Sequence, residues 1–147
     1  MDRWVLLLAL AFTLYMTGVI VNMQLLEYPL FALVGKNEFP RYHAFHNRSL
    51  FVLVLLPMLL ALIGSVALVW IRPSGLPLWP VILAIVSDLG IFVSTVILQA
   101  PLHARLDRDG FSAEVIKTLV RTNWIRTLLW IVSSVSLLGM TALALGG

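Results

Sequence analysis

Three histidines are the side chains of this sequence that are best suited to chemistry. His43 and His46 lie three residues apart in the stretch EFPRYHAFHNR, and His103 follows much later. Neutral imidazoles bind zinc, iron and copper well. Two histidines spaced i, i+3 share a helix face, and His103 and Glu27 could join them from neighbouring helices. The sequence therefore predicts a transition-metal site (zinc, iron or copper) formed by His43, His46, His103 and Glu27.

Two other interpretations of these histidines stay open. One of the pair, together with His103, could hold a haem iron axially. Alternatively, all three are polar residues at a membrane edge, where they bond to the backbone, to Glu27 or Asn123, or to lipid head groups. The choice depends on whether the segments that carry these residues approach one another in the fold.

Asp88 is a second candidate. An ionisable residue in the middle of an apolar membrane helix is energetically costly to bury, and its presence is therefore by default a hypothesis of function. Asp88 begins a stripe on one helix face that continues with Thr95, Gln99 and His103. Such a stripe would relay protons or line a polar cavity, with Tyr15 and Asn22 as possible partners. The structural alternative is a protonated Asp88 that holds the bundle together by hydrogen bonds between helices.

Asn123 and Arg126 complete the candidates for a catalytic role. Asn123 falls on the apolar face of a predicted amphipathic helix, where an unpaired amide costs about 1–3 kcal/mol. It would orient a histidine or bind a substrate. Arg126 would hold a carboxylate or phosphate through two parallel hydrogen bonds. The alternatives are an interhelical hydrogen bond for Asn123 and, for Arg126, a topology charge whose head reaches water.

Membrane-spanning helices must position these residues. The 147-residue chain is 61% hydrophobic and 12% charged, whereas soluble domains are about 25% charged. Four segments reach the roughly 20 apolar residues that cross a bilayer core, and backbone in lipid must satisfy its own hydrogen bonds. We predict one all-α domain, an up-down four-transmembrane-helix bundle, with helices at about 4–26, 41–71, 78–103 and 112–145.

Prolines set several expected breaks in these helices. The first helix is expected to end near Glu27, before Pro29, and to be followed by a segment lying in the membrane interface. Pro57 should kink the second helix, and Pro101 should bend the third just before His103. Ser112 is the expected N-cap of the fourth helix.

Basic residues are distributed unequally between the two sides of the predicted bundle. The side that holds both termini carries Arg3 and Arg72. The other side carries Lys36, Arg41, Arg48, Arg105, Arg108, Lys117, Arg121 and Arg126. The positive-inside rule then places the second side in the cytoplasm. We predict a multi-pass protein of a bacterial cytoplasmic (inner) membrane with both termini outside, although these charges could also rest on anionic lipid head groups.

Several functional classes find no support in this sequence. It contains no cysteine, which excludes disulfides, thiolate ligands and thiol nucleophiles. We find no phosphate-binding glycine loop, no Ser-His-Asp set and no surface for nucleic acid. The expected surroundings are the lipid bilayer, with a lipophilic small molecule, a second copy of the chain or a larger membrane complex as possible partners.

Two blocks of sequence, EFPRYHAFHNR and LQAPLHARLDRDGF…IKTLVRTNWIRTLLW, carry a resemblance to known proteins. Together they cover roughly a third of the chain. They resemble a family of small bacterial four-helix integral membrane proteins without assigned function and, more distantly, the anthrone-oxygenase-like membrane proteins. The resemblance implies signature positions at His43, His46, His103, Asn123, Trp124 and Arg126. The oxygenase comparison implies oxidation of an aromatic polyketide-like substrate.

Three functional hypotheses follow. The first is a membrane-embedded, metal-binding and oxidoreductase-like site that opens to the cytoplasmic leaflet, centred on the three histidines. The second is a non-enzymatic accessory or structural subunit of a membrane complex or homo-oligomer. The third is a proton-coupled carrier that uses Asp88, although four helices without internal repeats are few for a transporter.

Overall fold

The structure, a computed structural model, describes residues 2–146, which form four long helices joined by short turns. The helices are α1 (Asp2–Phe31), α2 (Phe39–Ile71), α3 (Trp79–Asp109) and α4 (Ala113–Gly146). No strand occurs in this part of the chain. Each helix is long and apolar enough to cross a membrane, so the predicted all-α four-helix fold is confirmed.

The helices pack as an antiparallel bundle in which α1 lies against both α2 and α4, and α3 against the same two helices. The core has two parts. A smaller cluster near the chain termini contains Leu6, Leu68 and Leu137, and a larger one contains Phe31 and Trp130. Many large apolar side chains are exposed on the outer surface of the bundle, as expected for helices in contact with lipid.

The helices are longer than a bilayer core requires. They contain 30 to 34 residues, which corresponds to about 45–51 Å at 1.5 Å per residue, whereas the hydrocarbon layer is about 30 Å thick. The surplus lies at the end of the bundle opposite the termini, which we call the polar end. It comprises residues 22–31, 39–50, 99–109 and 113–127.

Three of the four helices contain a π-helical turn, and each turn ends two residues before a proline. The turns are Met23–Glu27, Phe51–Leu55 and Thr95–Gln99, and the prolines are Pro29, Pro57 and Pro101. A proline removes one N–H donor, and its ring clashes with the carbonyl four residues earlier. A wider turn moves that carbonyl aside, so the helix continues through the proline.

Pro57 shows how the freed carbonyl is satisfied. The carbonyl four residues before it belongs to Leu53 and accepts a hydrogen bond from Tyr15 Oη of α1 at 3.2 Å. An unpaired carbonyl at this depth would be costly, because lipid offers it no partner. The structure therefore has a π turn before Pro57 that a neighbouring helix supports, and the kink at Pro57 stays a prediction.

These turns also explain where the helices end. α1 passes through Pro29 to Phe31 rather than ending near Glu27, and α3 passes through Pro101 to Asp109. As a result the loops are shorter than expected, and Tyr28 and Asp107 both lie on helices. Ser112 precedes α4 as expected, and its Oγ accepts a long hydrogen bond, 3.4 Å, from the Val115 N–H.

Candidate functional site

The three histidines converge at the polar end of the bundle. His43 and His46 come from successive turns of α2, and His103 comes from α3. Their rings are nearly parallel, with centroids 5.1 Å apart for His43 and His103, 5.4 Å for His46 and His103, and 6.1 Å for His43 and His46. All three are buried. The structure thus brings together the residues that the sequence singled out.

Each histidine is held by a hydrogen bond to another side chain. His43 Nδ1 lies 2.7 Å from Asp107 Oδ1, and His43 Nε2 lies 2.9 Å from His103 Nδ1. His46 Nδ1 lies 2.6 Å from Glu27 Oε1. The predicted association of Glu27 with the histidines is therefore present, but it is a hydrogen bond to His46 alone.

The hydrogen-bond geometry assigns the tautomers of two neutral imidazoles. The Asp107 carboxylate accepts from His43 Nδ1–H, so His43 Nε2 must accept from His103 Nδ1–H. His103 Nε2 then accepts from the hydroxyl of Tyr28 at 3.3 Å. A chain of donors and acceptors thus runs from Tyr28 through both rings to Asp107, whose side chain is half exposed. Such a chain can move a proton between the buried Tyr28 and the surface.

The hydrogen bonds of the three histidines orient the side chains that were predicted to bind a metal, but they do not test whether a metal binds. Within residues 2–146, no three His, Asp or Glu side chains are placed as a ligand set for one ion. The reason is that His43 and His103 direct ring nitrogens at each other, while His46 Nε2 is buried with no hydrogen-bond partner among the described residues. Binding of a metal by His43, His46, His103 and Glu27 would require ring rotations. The metal site therefore stays a prediction.

Arg126 and Asn123 form the second half of the site. Arg126 is 3% exposed and Asn123 is fully buried. The guanidinium donates from Nε to Asn123 Oδ1 at 2.9 Å and from Nη2 to Tyr28 Oη at 3.0 Å. Asn123 in turn donates from Nδ2 to Gln24 Oε1 at 3.0 Å. Asn123 therefore orients the arginine rather than a histidine.

The charge of Arg126 has no acidic partner among the residues described. Its Nη1 group makes no hydrogen bond within them, although Arg126 lines a cavity. Arg126 does not act as a topology charge that reaches water, because it points into the bundle and is buried. The position offers two N–H donors and a full positive charge to whatever occupies the cavity.

The cavity lies between α2 and α3 and measures about 400 Å³. Its polar floor contains Tyr28, Gln99, His103 and Arg126, and Asn47, Thr95 and Asp107 complete its polar lining. Its apolar walls include Met23, Leu50, Phe51, Val54, Leu55 and Met58. Residues from all three π turns line it. Phe51 and Leu55 are exposed on the outside of the bundle, so the cavity opens sideways between the two helices, towards the lipid.

Asp88 lies apart from this site. It is 1% exposed and accepts hydrogen bonds from Ser65 Oγ at 2.8 Å and Ser133 Oγ at 2.9 Å. Fifteen residues of α3, about 22 Å of helix, separate it from His103. The expected partners Tyr15 and Asn22 do not bond to it.

The expected stripe on α3 is not a connected relay. Thr95 donates to the carbonyl of Ile91 within its own helix, and Gln99 donates to Thr122 of α4. Neither side chain bonds to Asp88 or to His103. Gln99 belongs to the cavity floor, whereas Asp88 joins α2, α3 and α4 in the middle of the bundle.

Sequence reasoning missed three participants: Gln24, Tyr28 and Asp107. For each of them, a spacing of four residues in the sequence could have indicated a shared helix face. Gln24 and Tyr28 are four residues apart on α1, and Asp107 follows His103 by four on α3. The predictions that the first helix ends near Glu27 and the third at about residue 103 removed Tyr28 and Asp107 from consideration.

No family model matches this sequence, and the searches found no significant similarity to a curated protein or to a solved structure. The resemblance carried by the two sequence blocks therefore stays a prediction. Any function must be inferred from the site itself.

Proposed function

We propose that this chain is a membrane protein that binds a single-chain amphiphile with an oxygen-anion head group in the cavity between α2 and α3. The observation that carries the proposal is Arg126, a buried guanidinium that lines the cavity and has no carboxylate partner among the described residues. A fatty acid is the simplest molecule of this class.

The electrostatics favour an anionic head. Removing an unpaired charge from water costs several kcal/mol, and ionisable groups inside membrane proteins commonly mark ligand pathways. Asn123 and Tyr28 fix the Nε and Nη2 edge of the guanidinium. The Nη1 donors are left for a ligand oxygen, which would gain a charge-assisted hydrogen bond.

The shape of the cavity suits the rest of such a ligand. Ligand pockets typically measure about 300–1,000 Å³ and are mostly apolar, with a few polar groups that fix orientation. The apolar wall from Leu50 to Met58 runs along α2 away from the polar floor. A hydrocarbon tail would lie along this wall, and the sideways opening would admit it from the bilayer.

The hydrogen-bonded chain from Tyr28 to Asp107 would give the site a further capability. Tyr28 contacts both Arg126 and His103, so a weakly acidic head group at Arg126 would lie next to a route for its proton. Six exposed basic residues of the polar end, and Lys36 in the adjoining loop, still favour a cytoplasmic position of this end. The metal-dependent oxidoreductase, the accessory subunit and the Asp88 carrier remain alternative hypotheses.

Binding of tritiated oleate to protein in nanodiscs tests the proposal, with empty nanodiscs as background. We expect saturable binding that unlabelled oleate displaces and methyl oleate does not. Arg126→Gln should weaken binding by roughly tenfold to a hundredfold, because a hydrogen bond to a charged group contributes about 1.5–3 kcal/mol. Arg105→Gln, an exposed arginine on α3, is the matched control and should bind as the wild type does.

Arg126→Lys separates a binding defect from a folding defect. It keeps the charge but loses the planar fork, so it should fold and retain part of the affinity. Absence of saturable oleate binding by the wild type would overturn the proposal. Equal affinity of the wild type and a folded Arg126→Gln variant would overturn it as well.

A further inference from the structure

A second groove lies on the outer surface of the polar end, away from the histidine cavity. It measures about 460 Å³ and is formed by the end of α1 and the first turns of α4. Its lining comprises Pro29, Ala32, Ala113, Ile116, Lys117, Val120, Arg121 and Trp124. None of these residues lines the cavity at Arg126, so the two places are distinct.

Two basic side chains of the groove lack an acidic partner within the part of the chain that the structure describes. Lys117 and Arg121 lie one turn apart on the same face of α4, and both are exposed. No ion pair found within residues 2–146 involves either of them. Two exposed positive charges beside a groove can attract a phosphate group, which Arg would hold through two donors and Lys as a point charge.

The position of the groove along α4 matches the head-group layer of a bilayer. The last uncharged stretch of α4 begins at Thr127, six residues after Arg121, which is about 9 Å along the helix. Trp124 lies between them and is 45% exposed. Tryptophan at this level is typical of the membrane interface.

The groove also offers an apolar surface to a lipid tail. Val120 and Trp124 come from α4, and Pro29 and Ala32 come from the end of α1. A lipid with its phosphate at Lys117 and Arg121 would extend its tail past Trp124 into the hydrocarbon layer. A free phosphate ion would leave that surface bare.

We infer that this groove is a binding site for an anionic phospholipid of the leaflet that faces the polar end. The two basic residues select a head with net negative charge, because a zwitterionic head brings its own cation to the site. Basic pockets between membrane helices bind acidic lipids in this way. The inference does not depend on the amphiphile proposed for the inner cavity.

Native mass spectrometry of detergent-purified protein tests this site. Dioleoyl-phosphatidylglycerol and dioleoyl-phosphatidylcholine are added separately. We expect the wild type to retain one phosphatidylglycerol at concentrations where phosphatidylcholine is lost. The double variant Lys117→Gln/Arg121→Gln should lose this preference, and inorganic phosphate should not displace the lipid.

The control variant also removes two positive charges from the polar end, but at residues outside the groove. Arg41→Gln/Arg48→Gln removes two exposed positive charges from α2 and should keep the preference for phosphatidylglycerol. If both double variants lose it equally, the attraction is diffuse and the site is refuted. Equal retention of both lipids by the wild type, or displacement by inorganic phosphate, would refute it too.

Discussion

Replacement of Asp88 distinguishes a structural carboxyl group from a functional one. Asp88 is 1% exposed, and its two oxygens accept from Ser65 of α2 and Ser133 of α4. Asn has the same shape: its carbonyl oxygen can accept from one serine, and its amide can donate to the other, which then turns its proton to its own helix backbone. We therefore expect Asp88→Asn to change the free energy of unfolding by less than about 1 kcal/mol.

Asp88→Leu should behave differently, because it removes both acceptors. Each serine hydroxyl that loses a buried partner costs about 1–3 kcal/mol. Part of the lost free energy of unfolding is regained when each serine hydroxyl bonds to the backbone carbonyl four residues earlier. A further part is regained because the variant no longer buries a polar carboxyl group. The expected net loss is about 1–3 kcal/mol.

Unfolding of the purified variants by SDS in mixed micelles, followed by circular dichroism, measures both effects. Ser87→Ala is the matched control, because Ser87 is buried on the same helix but donates to the backbone carbonyl of Leu83. An Asp88→Asn variant as unstable as Asp88→Leu would show that the fold needs the carboxyl group itself. A stable Asp88→Asn variant that no longer binds oleate would refute the separation between Asp88 and the cavity.

Two further predictions concern helix packing and the histidines. A Cβ added at Gly64 would lie 2.9 Å from the Cβ of Ala9, so Gly64→Ala should destabilise the bundle by about 1–3 kcal/mol in the same assay. Gly139→Ala, whose added Cβ would have no atom of another described side chain within 4 Å, should be neutral or stabilising. The metal hypothesis expects stoichiometric metal, or a haem absorption band, in purified protein and its loss in His43→Ala/His103→Ala. Protein purified without chelators that contains neither would refute the metal and haem hypotheses.

The fold was predictable because it depends on length and hydropathy. Four uncharged or nearly uncharged stretches, each of about 20 residues, leave few alternatives in a bilayer. Helical spacing also placed His43 and His46 on one face, and the antiparallel order of the helices brought His103 to the same end. Local periodicity and helix topology were therefore sufficient to predict that the three histidines lie at the same end of the bundle.

The partners of the polar residues were harder to predict, because they depend on how the helices rotate about their axes. Asp88 was expected near Tyr15 and Asn22 of the first helix, but it bonds to Ser65 and Ser133. Serines in apolar stretches are common in helix interfaces, so nothing local distinguished these two. The role of Asn123 likewise depends on Gln24, 99 positions away in the sequence.

The prolines are the sequence feature that best explains why the cavity forms. Each of Pro29, Pro57 and Pro101 follows a π turn by two residues, and side chains from all three turns line the cavity. A π turn widens the helix and shifts the residues beyond it, and such turns are frequent at functional sites. Three of them around one cavity open space between helices that would otherwise pack closely. The sequence had suggested a helix end before Pro29, a kink at Pro57 and a bend at Pro101. In the structure the π turns beside these prolines account for both the cavity and the helical extensions that carry Tyr28 and Asp107 to it.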